Sequence, residues 1–137
     1  MAQDANLVLQ TSVTKTATFN GAWLSMPGLS GAGGRALWAH VLYSAASNAS
    51  GSNTVTFSLD VTPDGGTTTY SAAFSGVDQA LTLSTTAQAG EISIPFSLLD
   101  KTLIAGATPE IRLTCTIAGA GSTPTITYAG YGELGFN

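Results

Sequence analysis

Along Thr54-Val-Thr-Phe-Ser-Leu-Asp-Val61, polar and apolar residues alternate one by one. Val55, Phe57, Leu59 and Val61 therefore fall on one side of an extended chain, and Thr54, Thr56, Ser58 and Asp60 on the other. No window repeats apolar residues at i, i+3, i+4 and i+7, and β-branched Thr, whose χ1 is stiff in a helix, recurs throughout. The chain is therefore expected to be all-β, with at most one short turn of helix at Ser97-Leu-Leu-Asp-Lys101. A second alternating run, Glu110 to Ala118, puts Ile111, Leu113, Cys115 and Ile117 inward and Arg112, Thr114 and Thr116 outward.

Turn chemistry separates these runs. Pro63-Asp64-Gly65-Gly66 presets one φ and accepts positive φ, so Thr67 to Phe74 is expected to return as a hairpin partner. Gly119-Ala-Gly-Ser-Thr-Pro124 ends the second run, and Thr125 to Tyr131 returns from it. Further strands are expected over Leu7 to Gln10, Val13 to Phe19, Ala36 to Tyr43, Gln79 to Ser84 and Glu91 to Phe96. About eight short strands in 137 residues predict a single domain over 1–137. Its expected form is a two-sheet antiparallel β-sandwich of jelly-roll or related Greek-key topology. Residues 1–12 are either an N-terminal arm that adds to a neighbouring sheet edge or an edge strand of the chain's own sheet.

Charge is scarce, at 9% of residues against ~25% in a typical soluble domain. With 20 Thr, 14 Ser and 16 Gly, solvent-facing positions fall to short hydroxyl side chains and bare backbone. Such groups lose little rotamer freedom when a partner covers them, so the surface suits close and permanent packing against another protein. Lys15, Arg35, Lys101 and Arg112 are scattered and the net charge is −4, which excludes a phosphate-binding surface and a direct nucleic-acid partner. No segment approaches the ~18 consecutive apolar residues of a membrane-spanning helix, so no membrane association is expected. The opening Met1-Ala-Gln-Asp-Ala-Asn lacks a basic region followed by an apolar run, so no secretory signal is expected and synthesis is assigned to a cytoplasm. On that ground the sequon Asn48-Ala-Ser50 is expected to go unused. The single cysteine, Cys115, reads as a buried, inert thiol.

Convergent chemistry is hard to find. His40 is the only histidine and shares a strand face with Trp38 and Leu42, which reads as a packed or interface histidine rather than a metal ligand. Asp64 is expected to form the turn and Asp60 to be solvated, rather than the two binding calcium. Gly28-Leu-Ser-Gly-Ala-Gly-Gly34 has neither the spacing of a nucleophile elbow nor that of a phosphate loop. No catalytic residue, metal site or cofactor is assigned, and the chain is expected not to be an enzyme.

Candidate contact residues are easier to name. Asn20 to Gly34 is irregular by pattern yet carries Trp23, Leu24, Met26 and Leu29, which either fold back over the open end of the sandwich or anchor a partner. Leu7 and Leu9 close the N-terminal segment, and Tyr128 and Tyr131 lie in a Gly-rich aromatic stretch able to stack on sugars or on another subunit. A lectin-like module using Trp23, Tyr128 or Tyr131 is the alternative functional reading.

In order and spacing, Asp4-Ala-Asn-Leu-Val-Leu9, the Gly-rich stretch before Leu37 to Tyr43, Thr54 to Asp60, Gly90-Glu-Ile-Ser-Ile-Pro95 and Ile111-Arg-Leu-Thr-Cys-Thr-Ile-Ala-Gly119 resemble a known family. It is that of the small capsid cement, or decoration, proteins of tailed bacteriophages, typified by the Bordetella phage cement protein. The resemblance implies a jelly roll that forms dimers or trimers on the outside of an icosahedral head and bridges neighbouring major capsid subunits. The expected location is then the virion surface, after synthesis in the host cytoplasm.

Overall fold

The computed structural model describes residues 8–25, 35–71, 79–97 and 110–136. Its elements are β1 (Val8–Lys15), β2 (Phe19–Asn20), β3 (Leu24–Ser25), β4 (Arg35–Ser47), β5 (Asn53–Thr62), β6 (Tyr70–Ser71), β7 (Gln79–Thr82), β8 (Gln88–Ser97), β9 (Glu110–Gly119) and β10 (Thr125–Phe136). One sheet runs β1-β10-β4-β8. The other has β9 and β5 at its centre, β2 and β3 along one side and β6 and β7 along the other. Every pairing is antiparallel.

The pairings are nested: β1 with β10, β2 and β3 with β9, β4 with β8, β5 with β6 and β7. A chain paired this way is one long ribbon doubled back at the turn after β5. Rolling that ribbon brings β10 against β4 and β9 against β5, which completes each sheet. This is jelly-roll connectivity, and it decides between the two topologies that strand pattern alone leaves open.

The inward faces meet in one core that includes Leu9, Val41, Val55, Phe57, Leu59, Val61, Ile94, Ile111, Leu113, Cys115, Ile126 and Tyr128. Phe57 meets Tyr128 edge-on, with ring centroids 5.0 Å apart. Burial pushes the Cys115 thiol up to about 11, so at neutral pH it stays protonated and a poor nucleophile. Burial also raises the Tyr128 hydroxyl, which lies beside that thiol, a weak sulfur partner, and meets no oxygen or nitrogen partner. Leaving a buried hydroxyl unpaired costs about 1–3 kcal/mol. Tyr128→Phe is therefore expected to match or exceed the parent in a urea titration, by up to about 1–2 kcal/mol. A loss of more than about 1 kcal/mol would mean that the hydroxyl is hydrogen-bonded in solution.

Several expectations need correction. Leu7 to Gln10 and Val13 to Phe19 are not two strands: Val8–Lys15 is one strand with register shifts between Val8 and Gln10 and between Gln10 and Val13. Thr11 and Ser12, adjacent and both exposed, break the alternation and are absorbed as bulges without ending the pairing. Part of the Asn20 to Gly34 stretch is not irregular, since β2 and β3 both pair with β9. Of the Thr67 to Phe74 return, only Tyr70–Ser71 pairs among the described residues. Lys101 and most of the helical turn expected at 97–101 lie outside them.

The turn after β5 behaves as its residues dictate. Gly65 and Gly66 adopt φ of 72° and 101°. The Thr62 hydroxyl donates to Asp64 at 2.9 Å and accepts the Gly66 N–H at 2.8 Å, while Asp64 accepts the Thr68 N–H at 2.7 Å. That backbone N–H is the main cause holding the Asp64 carboxyl below its ordinary value. A depressed folded-state pKa stabilises the fold above the unfolded value, and this contribution is lost as pH falls through the folded one. Asp64→Asn is thus expected to flatten the acid limb of a stability-against-pH curve below about pH 4. An unchanged limb in thermal melts would contradict this.

Candidate interaction surfaces

Register defines the outer face of the β1-β10-β4-β8 sheet. Leu42 pairs with Ala129 and Glu91, and His40 with Tyr131 and Ser93, so these six share the face turned from the core. His40 is nevertheless 1% exposed. Its Nδ1 lies 3.0 Å from Ser93 Oγ and 3.2 Å from Glu91 Oε1. These residue types are those of a serine hydrolase, but in such a relay the hydroxyl and the carboxylate hold opposite ring nitrogens. Here both converge on one nitrogen, so the arrangement anchors the imidazole between two strands. Leu42, 39% exposed, is the exposed large hydrophobic side chain among the described residues.

The outer face of the second sheet is organised around an ion pair. Arg112 Nε donates to Asp60 Oδ2 at 2.8 Å across β9 and β5, and the guanidinium lies 4.4 Å from the centroid of the Trp23 ring. Asp60 is 4% exposed, which overturns its expected solvation: the carboxylate is held by Arg112 instead of water. Ser58 and Thr114 share a buried hydroxyl hydrogen bond beside it. Trp23 Nε1 comes within 3.2 Å of the place a Cβ on Gly66 would occupy, so the ring lies between the β5 turn and Arg112.

One end of the sandwich is tied by backbone. Ala49 N–H donates to Ser122 O and Ser122 N–H to Ser50 O, each at 2.9 Å, and Gly121 N–H donates to Ser52 O at 3.0 Å. Beneath them Asn48 Nδ2 donates to Gly51 O at 3.1 Å and to Asn53 Oδ1 at 3.0 Å. Asn48 is 4% exposed, so the nitrogen of the sequon is buried and engaged, a geometric obstacle to carrying a glycan.

The sheet edges are broken up. β1 carries its bulges, β8 carries Pro95, which has no N–H to donate, and the edges of the second sheet are made of short separate segments, two residues each in β2, β3 and β6 and four in β7. Such edges resist strand addition. Of the two readings for residues 1–12, Val8 onward is an edge strand of the chain's own sheet, and Leu7 lies outside the described residues.

The remaining contact candidates separate. Leu9 and Tyr128, at 3% and 1% exposure, belong to the core and offer no side chain to a partner, because both point between the sheets. Leu24 is half-buried against the core, in register with Ile111. Trp23 folds back, though onto the outer face of a sheet and not over an open end. Tyr131 stands half-buried beside His40. Met26 and Leu29 lie outside the described residues. Sequence reading missed Leu42 as an exposed apolar residue. Its signal was present: Leu37, Trp38, Val41 and Leu42 place apolar residues on both faces of one strand, so one set must point away from the core.

Among the described residues no three His, Cys, Asp or Glu side chains gather as a metal site. Lys15 Nζ lies 3.7 Å over the Phe19 ring, so Lys15 and Arg112 are each engaged locally. Among the described residues no helix is long and apolar enough to cross a membrane. No family model and no curated protein matches the chain.

Proposed function

We propose that the chain is a structural virion protein that binds the outside of an icosahedral phage head, as a dimer or trimer, and stabilises contacts between major capsid subunits. One observation carries the reading: on the described surface, hydroxyls pair with hydroxyls where charges would ordinarily stand. Thr14 meets Thr127 at 2.7 Å and Ser50 meets Ser122 at 2.8 Å. A surface of short, mutually held hydroxyls on hydrogen-bonded strands is already ordered, so covering it sacrifices little side-chain entropy. The polar groups that do converge, His40 with Glu91 and Asp60 with Arg112, are closed into pairs between strands. The resemblance in strand order and spacing to phage cement proteins supports the same reading.

The mechanism is mass action. A protein that binds the assembled shell and not its separated subunits stabilises the shell by RT ln(1 + [L]/Kd), about 2.7 kcal/mol per site at a hundredfold excess over Kd. Equivalent sites repeated over a shell multiply that gain. The test is cosedimentation of purified protein with expanded heads of the phage that encodes it, followed by thermal disassembly. Saturable binding and a higher disassembly temperature are expected; heads that neither retain the protein nor gain stability would refute the proposal.

The lectin-like alternative finds less support. The Tyr128 ring is in the core, and one face of the Trp23 ring carries Arg112.

A further inference from the structure

Asn20 is the one asparagine of the chain followed by glycine. Asparagine in that context is the most open to spontaneous deamidation, because glycine has no side chain to keep its own backbone nitrogen from the preceding amide carbon. Position 21 must be glycine for a packing reason. Gly21 is buried beside β9, and a Cβ there would stand 2.8 Å from Leu113 O and 3.1 Å from Gln10 Oε1. The close approach that excludes a side chain thus creates a reactive pair, and Asn20 itself is exposed. Asn48 and Asn53, by contrast, are buried, precede Ala49 and Thr54, and are hydrogen-bonded to each other.

The same approach blocks the reaction at Asn20. Cyclisation requires the Gly21 nitrogen to lose its proton and attack Asn20 Cγ. In the folded chain the Gly21 N–H donates to Leu113 O at 2.9 Å, and Asn20 is paired with Thr114 in extended conformation. The proton is held on a carbonyl of β9, whereas the side chain of a strand residue stands off the sheet face.

The lock is short. β2 has two residues, Phe19 and Asn20, and lies at a sheet edge. Thr18 extends it, since its hydroxyl accepts the Ile117 N–H at 3.0 Å and donates to Ile117 O at 3.3 Å. Beyond Gly21, the ring of Trp23 rests on Arg112 and Leu24 pairs with Ile111. Such an edge opens at lower cost than the central pairing of β5 with β9.

We propose that Asn20 is a spontaneous modification site gated by the pairing of β2 with β9: paired, it is inert, and unpaired, it deamidates. In the unpaired state the Gly21 nitrogen bonds to Asn20 Cγ, the bond from Cγ to the side-chain nitrogen breaks, and ammonia leaves with the Gly21 proton. Water then opens the succinimide, at Cγ to give aspartate or at the main-chain carbonyl to give isoaspartate. Isoaspartate carries the backbone through an extra carbon, which puts Gly21 out of step with Leu113, so the edge cannot close as before. The reaction uses this chain and water alone and is independent of the proposed function.

The test compares two rates on the whole protein. Folded protein and protein held unfolded in urea are incubated at the same mildly alkaline pH. Conversion is read by mass spectrometry on the tryptic peptide between Lys15 and Arg35, in which Asn20 is the sole side-chain amide. Hydrogen exchange of the Gly21 amide in the folded protein measures the open population independently. Folding is expected to slow conversion by about tenfold or more, and by the same factor, within about threefold, as it slows Gly21 exchange. Thr18→Val, which removes the hydroxyl clamp on Ile117, is expected to speed both together. Isoaspartyl protein returned to folding conditions is expected to exchange Gly21 without protection, and retained protection would refute the loss of closure. Equal conversion in folded and unfolded protein would overturn the gate, as would faster Gly21 exchange in Thr18→Val with conversion unchanged. No conversion in urea would overturn the site itself. If Thr18→Val does not fold, the two factors of the parent decide, and a disagreement of more than about tenfold rejects the gate.

Discussion

Arg112→Met is expected to lower the free energy of unfolding by about 2–3 kcal/mol, below the ~3–5 kcal/mol found when one partner of a fully buried ion pair is removed, because the Arg112 side chain is 21% exposed. Asp60 is 4% exposed and takes its charge-assisted bond from Arg112 Nε at 2.8 Å. Without the guanidinium, its carboxylate stays buried beside the hydroxyl pair of Ser58 and Thr114, where no other cation is placed among the described residues. Trp23 loses the group on which its ring rests, so the cover over this part of the sheet loosens as well. The double variant Asp60→Leu with Arg112→Met removes both charges and is expected to recover most of the loss, because a buried ion pair is often replaceable by apolar residues. Urea unfolding of the parent, both singles and the double supplies the full cycle. A single-variant loss under about 1 kcal/mol would mean that water reaches Asp60.

Gly119→Ala is the second large effect, at about 2–5 kcal/mol from overpacking and backbone strain together. Gly119 has φ of 110°, outside the range that side-chain-bearing residues readily adopt, and a Cβ there would stand 2.3 Å from Ser52 O. That carbonyl cannot retreat freely, since it accepts the Gly121 N–H at 3.0 Å within the tied end of the sandwich. Gly65→Ala is the control: φ is 72°, but the nearest atom to its Cβ is 3.9 Å away, so only the conformational cost of about 1–2 kcal/mol applies. Equal losses in the two variants, measured by thermal or urea unfolding, would show that the crowding at Gly119 relaxes and that only its φ matters.

The inward set of β5 was legible because each residue's side of a strand depends only on its neighbours in sequence. Val55, Phe57, Leu59 and Val61 are all buried, as their alternation requires. The turn chemistry of Pro63 to Gly66 was legible for the same local reason. Bulges were not: Thr11 and Ser12 looked like a gap between strands, and whether such a gap breaks or bends the pairing is decided by β10, more than a hundred positions away.

The contact candidates divide along the same line. Tyr128 and Tyr131 stand three residues apart in one Gly-rich strand, so alternation puts them on opposite faces without saying which face is covered. Position 128 pairs with Tyr43 and turns to Phe57 in the core, while position 131 pairs with His40 on the outer face. Leu42 escaped notice as an exposed residue because both faces of its strand are apolar, and only the second sheet fixes which side is inside.

The sequence alone determined an all-β chain whose strands alternate about one core, because the period of a strand is a local property of the backbone. Only the tertiary structure decided that the ribbon rolls into a jelly roll, that Asp60 is paired instead of solvated, and that register shifts in β1 and β4 flank a depression beside Leu42. The physical reason is one of range: which face a residue takes is settled by its neighbours along the chain, whereas what covers that face is settled by partners such as Arg112, 52 positions from Asp60.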